Sequence, residues 1–165
     1  MSLLICFLNI KFPLLYQNMA VKSKIFLLFF VLILLAGCQL QSTMITKEIS
    51  INNSVIQAEV ARTPKEAAKG LSGRKELCSG CGLLFEYPDY RVMNYWMRDM
   101  NFALDVIWIR DDLVAGFEEN VPVLDSEGQI TRMQSKSEVN RVLEVNSGFV
   151  ARNGIKEGDR ILGLD

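Results

Sequence analysis

The 165-residue chain contains no histidine, which removes Ser-His-Asp and Cys-His nucleophiles and any imidazole general base. Carboxylates, thiols and aromatic rings are left to do chemistry. Asp105 and Glu144 lie inside the apolar runs "ALDVIWI" and "RVLEV". There a carboxylate must find donors or take up a proton, because an unpaired buried charge costs several kcal/mol. A raised pKa on one of the two would make a general acid beside the other, as in a small carboxylate-dependent hydrolase. Arg98, across "RDMNF", is a basic candidate close to Asp105 in sequence. Two roles are open to Asp105. It could staple that turn, with Arg98 or the turn's backbone N–H groups as donors. It could instead join Arg98 as a polar anchor at the mouth of a pocket walled by Tyr95, Trp96 and Met97. Trp96, Met97, Arg98, Asp105 and Glu144 are the candidate binding residues, and none is assigned a catalytic role.

The "CSGC" pair, Cys78 and Cys81, admits three chemistries. Structural zinc takes four ligands as a rule, and two thiolates without histidine fall short, so no metal or other cofactor is expected. A redox pair of thioredoxin type wants its first cysteine at a helix N-terminus that stabilises the thiolate. Here the apolar "GLLFEY" follows instead. A structural disulfide closing a short turn suits an oxidising compartment and is the expectation.

The elements that must hold these residues are short and mostly extended. "SVIQAEVA" (54–61) alternates apolar and polar side chains as a half-buried strand does. In "TPKEAAKG", Thr63 as N-cap, Pro64 at N1 and Glu66 at N3 form a capping box, with Lys69 and Gly70 as the end of a short helix. "GLLFEY" (82–87) should end at Pro88-Asp89. "VMNYWM" (92–97) and "ALDVIWI" (103–109) should pair as a hairpin across "RDMNF". Leu104, Val106 and Trp108 then fall on one face of the second strand and Asp105, Ile107 and Ile109 on the other, so both faces are covered and Asp105 is shielded. "LVAGFEENVPV" (113–123), "RVLEV" (141–145) and "RILGL" (160–164) are further strands. Residues 124–138 read as a loop or loose hairpin, and Ser147 as cap of a short helix ending at Gly154. The expected fold is α+β and β-rich, a small curved antiparallel sheet or partly open barrel of about seven strands with two short helices.

The amino terminus precedes this domain. Basic "MAVKSK" from Met19 and the apolar run Ile25–Ala36 have the lengths of a secretory leader, too short to span a bilayer as a helix. "LAGC" (35–38) resembles the lipobox of bacterial lipoproteins, which implies cleavage before Cys38 and lipidation of its thiol. Several acyl chains give stable attachment. The expectation is a leader over 1–37 with its true start at Met19, a lipidated tether over 38–47, and a single domain over 48–165. Gln39 after Cys38 points, by the same resemblance, to the outer membrane facing the periplasm of a Gram-negative cell. The chain carries a formal net charge of −1, and the leader takes away only lysines. Such a domain is poorly suited to nucleic acid. Its expected partners are the membrane, through Cys38, and an envelope protein or small ligand. The reading is of a binding or interaction module, with a thiol-disulfide protein or a hydrolase as alternatives.

"GLSGR", "GLLF", "YWMRDMNFALDVIWI", "NVPV" and "VLEVNSGFVARNGIKEGDRI", in that order and spacing, together resemble the bacterial and archaeal domain of unknown function 192, over about residues 55–163. Ser72 and Leu83 stand where that family usually has methionine. The resemblance implies a compact β-rich domain, often exported or membrane-tethered, with no assigned activity.

Overall fold

In chain order the elements are β1 (Thr46–Ile51), β2 (Ser54–Ala61), α1 (Pro64–Lys69), β3 (Cys81–Arg91), β4 (Asn94–Trp96), β5 (Leu104–Arg110), β6 (Leu113–Val121), β7 (Arg132–Gln134), β8 (Val139–Asn146), α2 (Phe149–Asn153) and β9 (Ile161–Leu162). They come from a computed structural model that describes residues 44–165. The expected leader, the expected lipidation site Cys38 and the expected tether up to residue 43 lie outside the described residues. Among the described residues no helix is long and apolar enough to cross a membrane.

Seven strands form one sheet in the order β6-β5-β8-β3-β2-β1-β9, and β4 and β7 form a second, two-stranded one. Pairing in the large sheet is antiparallel except for β2 with β3, where α1 and the cysteine turn make the crossover. The sheet curls. Val114 N donates to Asp159 O at 2.9 Å, Gly158 N to Val114 O at 2.8 Å and Ile161 N to Asp112 O at 2.7 Å, so the β6 and β9 edges meet at one end. Ile49, Ile56, Leu84, Ile107, Val114, Leu143 and Ile161 fill the concave side. Leu83, Phe85, Val106, Trp108 and Val142 face the convex side, beneath Leu71, Met93, Met97 and Met100. This is the β-rich, partly open barrel that the strand pattern implies.

The strict alternation of β5 between the two cores follows from the period of two along a strand. α1 forms from local chemistry: Glu66 N donates to Thr63 Oγ1 at 3.2 Å, and Glu66 Oε2 accepts from Thr63 N at 3.0 Å.

Several local expectations need correction. β4 pairs with β7, not with β5, so "RDMNF" is not a hairpin turn. Both edges of β5 are already taken by β6 and β8, which leaves no ladder for β4. β3 does not stop at Pro88. It runs on to Arg91 while its register with β8 shifts between Glu86 and Arg91, the kind of irregularity that accommodates a residue without an N–H. α2 is capped by Gly148 and not by Ser147, whose hydroxyl bonds Asn120 Oδ1 at 2.6 Å instead. β1 begins at Thr46, so the last two residues expected in the tether belong to the sheet.

Candidate functional site

The two carboxylates in apolar strands part company. Asp105 is opposite Val145 and Glu144 is opposite Val106 in the β5–β8 register. Facing residues share a side of the sheet, so Asp105 points to the concave side with Val145 and Glu144 to the convex side with Val106. The facing pair that a carboxylate hydrolase would need is not formed.

Asp105 is fully buried. Its Oδ1 accepts from Asn120 N at 2.7 Å and from Gly148 N at 3.0 Å, and its Oδ2 accepts from Val150 N at 2.8 Å. One carboxylate therefore ties β5 to the end of β6 and to the start of α2. Gly148 has φ +76, a conformation that costs glycine nothing and lets its N–H turn toward Asp105. Asp105 is a staple, though not of the "RDMNF" turn and not through Arg98. The Arg98 side chain belongs to an exposed residue, its guanidinium carbon 5.1 Å from the Trp96 ring centroid. Met97 is a core residue of the convex side.

Glu144 opens into a cavity of 260 Å³ on that convex side. The cavity is bounded by the end of α1 and its following loop (Ala67, Ala68, Lys69, Gly70), by Phe85 and Tyr87 of β3, and by Tyr95, Trp96 and Met100. The "RDMN" segment sets its width. Ser72 Oγ donates to Arg98 O at 2.8 Å, Gly73 N to Asp99 O at 2.8 Å and Asn101 Nδ2 to Arg74 O at 2.8 Å, tying the loop after α1 to the end of β4. Gly70 keeps the space open: it has φ +51, and a Cβ there would stand 3.6 Å from the Phe85 ring and 4.0 Å from Glu144 Oε2.

Glu144 is only 9% exposed, and its Oε2 is buried without a hydrogen-bond partner. Burial raises its pKa to about 8, against the opposing pull of the Arg74 charge. Arg74 does not pair with it. The guanidinium is engaged by both Glu59 oxygens at 2.7 and 2.6 Å. The aromatic wall is locked: Tyr87 and Tyr95 hydroxyls bond at 2.8 Å, and Tyr95 stands edge-on to Phe85 and Trp108 at 5.3 and 5.6 Å. Burial holds the Tyr95 phenol far above its usual range, so it stays neutral. Of the five residues expected from sequence, Trp96 (48% exposed, at the mouth) and Glu144 line this cavity. Met97, Arg98 and Asp105 do not. Phe85, Tyr87 and Met100 were not among the expected residues, although Phe85 and Tyr87 share one face of β3.

Cys78 and Cys81 are joined as a disulfide with Cα atoms 5.2 Å apart, and β3 begins at Cys81, so no helix follows the pair. Among the described residues no group of three His, Cys, Asp or Glu is placed to hold a metal ion.

Residues 46–163 match the family DUF192, described as an uncharacterized ACR. No curated protein matches the chain. Crystal structures of other proteins share its fold, two among them as follows. A protein from Sinorhizobium meliloti 1021, named as a candidate transcription regulator, is 26% identical with a TM-score of 0.67, over 74% of this chain and 97% of its own. A protein of unknown function from Novosphingobium aromaticivorans DSM 12444 is 30% identical with a TM-score of 0.66, over 74% of this chain and 89% of its own.

Proposed function

For a chain that belongs to the uncharacterized DUF192 family, we propose the role of a lipid-anchored small-ligand-binding module of the cell envelope. The supporting observation is Glu144: a buried carboxylate with an orphan oxygen at the base of an aromatic cavity. A buried polar atom without a partner costs about 1–3 kcal/mol, and this one stands where a ligand could satisfy it. The cavity lies just below the usual range for drug-sized ligands, so its occupant is small. Export and anchoring rest on the "LAGC" leader pattern, with the module held at Cys38 on the outer membrane facing the periplasm. A transcription-regulator role, as named for the Sinorhizobium protein, has less support if it required contact with nucleic acid, because the chain has net charge −1 and pI 5.6.

The test is a saturation-transfer NMR screen of small polar and charged fragments against the full chain in nonionic detergent. Ala68→Phe, at the exposed edge of α1, serves as a blocked cavity. Fragments bound by the wild type and lost in Ala68→Phe support the reading. Fragments bound equally by both would put the site elsewhere.

A further inference from the structure

We infer that the cavity takes a protonated primary or secondary amine, its ammonium N–H groups donating to Glu144 and its alkyl part packed against Phe85, Tyr95 and Trp96. This rests on the cavity being a binding site. An ionised carboxylate only accepts hydrogen bonds, and the orphan Oε2 of Glu144 lacks any donor. The groups facing it supply none. Arg74, from the loop after α1, is held by Glu59. The Tyr87 and Tyr95 hydroxyls, from β3 and β4, are bonded to each other. Lys69, at the end of α1, lines the cavity without an ion pair to Glu144. From β5 the facing residue is apolar Val106.

Charge and shape then select among ligands. Aromatic ring faces are negative and attract cations, and the rings here already do so at the rim. Arg91 lies 4.5 Å from the Tyr87 centroid and Arg98 lies 5.1 Å from the Trp96 centroid. A neutral alcohol brings no charge to balance an ionised Glu144, so it would meet only the protonated carboxyl and gain no affinity as pH rises. A quaternary ammonium would balance the charge but give Oε2 no N–H. An ammonium bearing N–H does both.

Free Glu144 holds a proton up to a pH of about 8. Binding therefore replaces that proton with the ammonium: the O–H bond breaks, the proton goes to solvent, and N–H···O bonds form to the carboxylate. Affinity should follow the ionised fraction. It rises roughly tenfold per pH unit below the carboxyl pKa and levels off above it, while an alkylammonium stays protonated throughout.

The experiment is calorimetric titration of the full chain in nonionic detergent and phosphate buffer, from pH 6 to 9. The probes are n-butylammonium, tetramethylammonium, n-butanol and butyrate. The expected result is that n-butylammonium binds most tightly with that pH profile, that Glu144→Gln weakens it at least tenfold and flattens the profile, and that Ala68→Phe abolishes it. Should Glu144→Gln not fold, the wild-type profile and Ala68→Phe decide the matter. Butanol, butyrate or tetramethylammonium binding more tightly than n-butylammonium, and lost in Ala68→Phe, would overturn the amine and leave the cavity as a site. No probe binding at all would overturn both.

Discussion

At the scale of single residues, Asp105 and Glu144 began as equals and differ in what surrounds them. Both Asp105 oxygens accept backbone N–H groups, so no neutral side chain replaces it fully. Asp105→Ala should destabilise by roughly 3–5 kcal/mol in urea denaturation, since it strands buried donors. Asp105→Asn should cost about 1–3 kcal/mol, because its amide can serve the donors of only one oxygen. Glu144 behaves oppositely. Its folded-state pKa is raised from 4.5 to about 8. The folded protein thus keeps a proton that the unfolded chain has released. That contribution is complete below pH 4.5, shrinks between 4.5 and 8, and is absent above. Glu144→Gln loses nothing over the same window. Its melting temperature should therefore rise relative to wild type between pH 5 and 8.5, by an amount equivalent to at most roughly 4 kcal/mol. A gap that stays flat would mean that Glu144 is not shielded as described. The period of two within β5 was enough to read that Asp105 is buried. Its donors were not legible, because residues 120, 148 and 150 come from other elements. Nor was its separation from Glu144, which depends on strand register.

Among the elements, those built from neighbouring residues were readable and those built from distant ones were not. The capping box of α1 and the span of β2 follow from contiguous residues. The pairing of β4 with β7 spans residues 94–96 and 132–134, and each strand is too short to display a period. With that pairing unseen, the convex-side cavity could not be assembled, although Trp96 and Glu144 were both in view. The cysteine turn illustrates how little an element can depend on a covalent link. Gly80 O accepts from Gln57 N at 2.8 Å and Cys78 O from Asn146 Nδ2 at 2.9 Å, which ties the turn to β2 and β8 without the disulfide. The closed loop is also short. Replacing Cys78 and Cys81 together with serine should cost no more than about 2 kcal/mol, read from denaturation midpoints under oxidising conditions, and should leave ligand binding unchanged.

For the molecule as a whole, the anchor and the domain are separable ideas with separate tests. If Cys38 is lipidated, Cys38→Ala should abolish incorporation of labelled fatty acid and leave an unprocessed precursor, seen by metabolic labelling and gel mobility. A mutant that matures and fractionates like wild type would remove the anchor and leave the cavity untouched. Within the domain, the first and last strands of the chain pair directly with each other. Ser50 pairs with Leu162 and Ile51 with Ile161. Beyond them the chain runs back along β1 until Leu164 O accepts from Lys47 Nζ at 2.8 Å. The order in which these strands follow one another along the polypeptide is therefore incidental to how they fit. A few glycines and serines could splice Asp165 to Thr46, with new ends cut at the exposed turn around Gly128. Such a rewired chain should fold around the same two cores, and it would carry its termini at the tip of the 124–130 loop.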